Sequence, residues 1–134
     1  MSDAANAAPT VEQVLAGMTA ELGETPEVQA LLARIQPAMV LEHARSRRFA
    51  NEGSSIPEKY RLLVSIAAVA GAGSPSCLKT QIGLALRKGV EPAEIADALV
   101  LARFALSSTV FSNSLEGLRA MAAALEDGDG EDVG

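Results

Sequence analysis

The chain has 134 residues, 49% of them hydrophobic and only 3% aromatic, with a formal net charge of −6 at pH 7. That length fits one domain, able to bury about two-thirds of its surface. With no Trp, one Tyr and a negative balance, it lacks the stacking rings and cationic face that nucleic-acid binding requires, so no nucleic-acid partner is expected.

Every segment with a clear period reads as helix, and no alternating strand pattern is present. The expected fold class is all-α, a bundle of about six or seven helices. Residues 1–9 are small and polar, without the basic start or apolar stretch of a leader peptide, and are expected to be disordered. Thr10 with Gln13 forms a capping box, and the helix it opens stops at Gly23. Pro26 restarts the chain at a favoured first-turn position. A long segment then runs to about Asn51, with a kink or brief break at Pro37. Gly53-Ser54-Ser55 is a turn, and Ser55 with Glu58 predicts a second capping box. The helix that follows continues to about Ala70. Ser74, Pro75 and Cys77 open the next, which closes at Gly89, and Glu91-Pro92 opens another through Ala105. Ser107-Ser108-Thr109 predicts a bend before a last helix to Leu125. The helical domain thus spans residues 10–125. Residues 126–134 form an acidic tail whose five carboxylates leave the rest of the chain at −1, and the tail is expected to be disordered.

Leu62 to Ala70 surrounds its helix axis with almost no polar face. A helix apolar all round must be buried on all sides, and in a domain this small part of that burial falls to another subunit. Ala98-Leu99-Val100-Leu101-Ala102 makes the same demand, so a homo-oligomer is expected. The longest apolar run, Leu62 to Gly71, is far short of the ~20 residues a spanning helix needs, so no membrane segment is expected. One cysteine forms no internal disulfide. Together with the missing leader, that predicts a cytoplasmic protein.

The single thiol, Cys77, is the strongest chemical lead. It falls in the first turn of a helix, where unpaired N–H groups and the helix dipole stabilise a thiolate. Ser74 is the expected N-cap, with its hydroxyl on the Cys77 N–H. Against a reactive role stands the bland one, a small buried hydrophobe. Gln81 lies one turn on and shares its face. Its amide accepts no proton from the thiol but can donate a hydrogen bond. His43, the only histidine, is a base brought to Cys77 by the fold or by a second subunit, or a helix-end histidine favoured by the dipole. Arg45, Arg47 and Arg48 serve that helix end or hold an anionic substrate. One histidine and one distant cysteine make no metal site. Gly71-Ala72-Gly73 lacks the spacing of a phosphate loop, and no cofactor is expected.

Three segments carry a family resemblance: Ile56-Pro57-Glu58-Lys59-Tyr60-Arg61-Leu62-Leu63, the thiol run Ser74 to Gln81, and Arg87-Lys88-Gly89-Val90-Glu91-Pro92-Ala93-Glu94-Ile95. Together they resemble the carboxymuconolactone decarboxylase family, which includes the alkyl hydroperoxide reductase D-like proteins, over roughly Glu27 to Leu125. In that branch the thiol run reads C-x-x-C-x-x-x-H, with a Glu about a dozen residues upstream. On this pattern Ser74 takes the first cysteine, Cys77 the second, Gln81 the histidine and Leu62 the upstream Glu. The resemblance implies trimers, or hexamers built from them. It also implies a thiol-dependent peroxidase or reductase of peroxiredoxin type, an antioxidant oxidoreductase taking a hydroperoxide and an external thiol reductant. The alternatives are a lyase of the γ-carboxymuconolactone decarboxylase kind, with Glu58, His43 or the arginines as acid–base groups, and a non-catalytic oligomeric member that has lost the site. With the relay replaced, Ser74 and Gln81 join Cys77 as the candidate site residues.

Overall fold

The computed structural model describes residues 7–129, and among them the chain forms seven α-helices and no strand. These are α1 (Val11–Leu22), α2 (Glu27–Ile35), α3 (Pro37–Asn51), α4 (Glu58–Ala72), α5 (Pro75–Arg87), α6 (Pro92–Asn113) and α7 (Leu115–Asp129). The all-α class stands.

Local signals set most of the boundaries. Thr10 caps α1 through the full box with Gln13, and Gly23 closes it in the left-handed conformation at φ 82°. Pro37 breaks the long second segment after Ile35, because its ring tolerates a helix only in the first turn. Gly73, at φ 75°, ends α4 and separates it from the thiol helix.

Five local expectations fail. Pro26 is the N-cap of α2, in extended conformation, rather than a first-turn residue. The Ser55–Glu58 box does not form. Pro57 is the N-cap of α4, and the nearby serine that bonds is Ser54, whose Oγ accepts from the Ile56 N–H at 3.2 Å. Ser74 is the N-cap of α5 in extended conformation, but its hydroxyl caps nothing. The bend at Ser107–Thr109 is absent, and α6 runs unbroken to Asn113. The three hydroxyls are satisfied inside the helix, Ser107 and Ser108 on the Phe104 carbonyl and Thr109 on that of Leu106. The last helix continues past Leu125 through Asp129, so the acidic segment begins inside it. Residues 1–6 and 130–134, where most of the expected terminal disorder falls, lie outside the described residues.

The core sits where α4, α5 and the first half of α6 meet. Leu62, Ile66, Leu84, Ala85, Val90 and Ile95 form its buried cluster, with Leu22, Leu63, Leu78, Ile82 and Leu99 against it. α1 packs on α3 and α5, and α2 on α3. Ion pairs tie these layers together: Glu21 to Arg47 at 2.8 Å between α1 and α3, Lys59 to Glu94 between α4 and α6, and Lys88 to Glu58 at 3.4 Å between the end of α5 and the start of α4.

Burial then stops. Every residue from 103 to 128 is exposed. That stretch carries Phe104, Leu106, Val110, Phe111, Leu115, Leu118, Met121 and Leu125. α6, which sequence reasoning divided at the serines, is long and apolar enough to cross a membrane by length and composition, and only 11% of the qualifying stretch is buried. On α4 too, burial is one-sided: Leu62 and Ile66 are buried, while Tyr60 and Val64 are more than half exposed.

Candidate functional site

α5 packs on the core through one face and lines a cavity with another. Leu78, Ile82 and Ala85 belong to the core cluster or pack against it. Lys79, Gly83 and Arg87, four residues apart, turn toward the end of α1, where they line a cavity. Cys77 stands between these faces at the third helical position, with its thiol free and exposed. The reading of Cys77 as a buried hydrophobe is therefore overturned.

The first-turn amides add to this. The first α5 amide bonded to the preceding carbonyls is that of Leu78, on Ser74 O at 2.9 Å. Among the described residues the N–H groups of Ser76 and Cys77 have no protein partner, because the Ser74 hydroxyl does not cap. An anion held at the sulfur meets unpaired donors and the positive end of the helix dipole. Gln81 follows one turn later, half-buried, and Leu84 after it is buried. The stripe from Cys77 inward thus runs from solvent through one amide into the core.

The remaining candidates are placed elsewhere. Leu62 is a core residue of α4, packed in the cluster with Ile66 and Leu84. His43 lies in the middle of α3 rather than at a helix end, and it is exposed. α3 packs chiefly on α1 and α2, whereas α5 packs on α4 and α1. Within one chain, His43 and Cys77 sit on helices that share no substantial contact. The three arginines after His43 each hold a carboxylate: Arg45 pairs with Glu42, Arg47 with Glu21 and Arg48 with Glu52. The Arg47 guanidinium, hydrogen-bonded to Glu21, holds that carboxyl below its usual range. Glu58 faces Lys88 at the far end of the α4–α5 pair. Helix rise puts about 16 Å between Lys88 and Cys77. None of the acid–base groups considered for a lyase is gathered at the thiol. Among the described residues no cluster of His, Cys, Asp or Glu is arranged to hold a metal.

Among the described residues, Cys77 lines neither of two cavities that open on the surface. One, of about 180 Å³, lies between the end of α3 and the start of α4. The other, of about 380 Å³, lies between the end of α1 and α5, with Leu22, Gly23, Glu24, Pro26, Lys79, Thr80, Gly83 and Arg87 on its walls. Sequence reasoning missed the second. Its only signal was the Lys79–Gly83–Arg87 spacing, which has no meaning until α1 is set against it.

The chain is all-helical, with a lone exposed thiol in the first turn of a helix that follows an apolar helix ending in a glycine break. The family model for the carboxymuconolactone decarboxylase family matches residues 26–126, and the chain belongs to that family. Comparison with curated proteins returns no match.

Proposed function

We propose that this protein is a one-cysteine, thiol-dependent peroxidase with Cys77 as its nucleophile. The observation that carries the reading is the exposed Cys77 thiol beside two unpaired first-turn N–H groups. The thiolate attacks one oxygen of a hydroperoxide. An S–O bond forms as the O–O bond breaks, and the departing alkoxide takes a proton from water to leave as the alcohol. Cys77 is left as a sulfenic acid. With no second cysteine in the chain, an external thiol condenses with it, releasing water and forming a mixed disulfide. A second thiol then frees Cys77. Gln81 donates a hydrogen bond to the thiolate or to the peroxide oxygen, and Ser74 shapes the turn without joining the chemistry. The chain works as a homo-trimer or hexamer in the reducing cytoplasm, without a membrane or nucleic-acid partner.

A second reading, a non-catalytic oligomeric member of the family, draws on Leu62, which is sunk in the core where the family pattern has its acid. Peroxide consumption coupled to an added thiol separates the two. The peroxidase consumes hydroperoxide in proportion to protein, Cys77→Ser abolishes it, and Gln81→His speeds it by pairing an imidazole with the thiolate. No consumption in either protein supports the non-catalytic reading, and consumption unchanged by Cys77→Ser overturns Cys77 as the nucleophile.

A further inference from the structure

We propose that the cavity between α1 and α5 binds a small organic oxyanion, a carboxylate or phosphate ester on a short apolar body. At about 380 Å³ the space falls within the roughly 300–1,000 Å³ range of small-molecule sites. Its chemistry comes from two cations on one stripe of α5. Lys79 and Arg87 are two turns apart, about 12 Å of helix rise, with Gly83 between them. Nothing lies within 4 Å of where a Gly83 side chain would begin, so the floor of the stripe is open.

Both cations lack a partner among the described residues. Six of the basic side chains pair with a carboxylate, whereas Lys79 and Arg87, like Arg34 and Arg103 elsewhere, take part in no ion pair or side-chain hydrogen bond there. Arg87 is nonetheless held in place. A Cβ on Gly23 would fall only 2.3 Å from the guanidinium Nη1, so the side chain lies against bare backbone at the end of α1. A cation there complements the negative end of the α1 dipole, which accounts for Arg87 alone. Lys79 lies near the N-terminal end of its own helix, where the dipole gives a cation no support, and it is exposed at the cavity wall. Leu22 and Pro26 supply apolar wall, and Glu24 is the one carboxylate on the rim. Two cations against one carboxylate leave a net positive charge that favours an anionic group on a partly apolar ligand. The site does not depend on the peroxidase reading, since Cys77 lies outside its walls.

Calorimetric titration of the full chain with benzoate and with phenyl phosphate tests the site, and the Cys77→Ser variant serves equally. The expected result is saturable binding, one ligand per chain, weakened about tenfold by Lys79→Gln, which is a loss of about 1.4 kcal/mol. Arg87→Gln should weaken it similarly. Gly83→Leu should abolish it by filling the floor while the helical circular dichroism is unchanged. Binding of benzoate alone, phenyl phosphate alone or both supports the site and tells carboxylate from phosphate. No saturable heat with either probe, or binding indifferent to Lys79→Gln, overturns it. Because Lys79 is exposed, its variant folds and keeps the test decisive.

Discussion

The α4–α5–α6 core and the arm formed by residues 103–128 are built from similar residues and meet opposite fates. In the core, Ile66 is fully shielded and Leu62, Leu84 and Ile95 are nearly so. In the arm, Phe104 and Phe111 stand about 70% exposed, and their apolar neighbours along α6 and α7 are exposed as well. Composition does not separate the two regions. Partners do: α4 finds α5 and α6 in its own chain, whereas α7 packs on α6 and on no other element to a comparable degree. An exposed apolar arm of this extent marks an interaction surface, and the homo-oligomer we propose buries it against other copies.

The largest effect should come from charging the arm. Phe104→Glu with Phe111→Glu should break the assembly into monomers, because each Phe loses about 1.5–3 kcal/mol of burial per interface and a charge is placed there instead. Light scattering gives the mass, which should fall to that of the 13.8 kDa chain. Next comes the core. Ile66→Ala should cost about 2–5 kcal/mol in any state of assembly. Val110→Ala, made in the charged-arm monomer, should stay within about 0.5 kcal/mol in denaturant unfolding.

Smaller effects test how the helices begin. Thr10→Ala removes a hydroxyl that caps α1 and should cost about 1 kcal/mol. Ser74→Ala removes a hydroxyl that caps nothing and should cost less than about 0.5 kcal/mol. The smallest effect is electrostatic and depends on pH. Arg47 holds the Glu21 carboxyl below its usual value of 4.5, so the pair's contribution is present above that value and is lost as the pH falls through the lowered one. The pair is partly exposed, so Arg47→Gln should cost at most about 1 kcal/mol near neutrality. The gap from the parent chain should close in acid.

Much of the fold was legible because its signals are local. Thr10, Gly23, Pro37 and Gly73 act through their own backbone, and a sequence displays them directly. The failures came where two satisfactory arrangements compete. Ser107, Ser108 and Thr109 look like a bend, yet their hydroxyls can bond back to helical carbonyls, and flanking apolar residues extend the helix through them. Ser55 and Ser74 have capping spacing but not capping geometry. At the site, the position of Cys77 in its helix followed from the sequence, and its exposure did not, since burial is decided by which helices pack against α5. The Lys79–Arg87 cavity was invisible for the same reason: one wall comes from the end of α1, more than fifty residues earlier in the chain.

The central claim is that the core presents Cys77 as a working nucleophile. Mass spectrometry after brief exposure to a stoichiometric alkyl hydroperoxide, with a sulfenic-acid trap present, tests it most directly. The account predicts the trap adduct on Cys77 in nearly every chain, formed faster than on a free thiol of ordinary pKa, about 8.5, at the same pH. An unmodified Cys77 under conditions that oxidise the free thiol would contradict it.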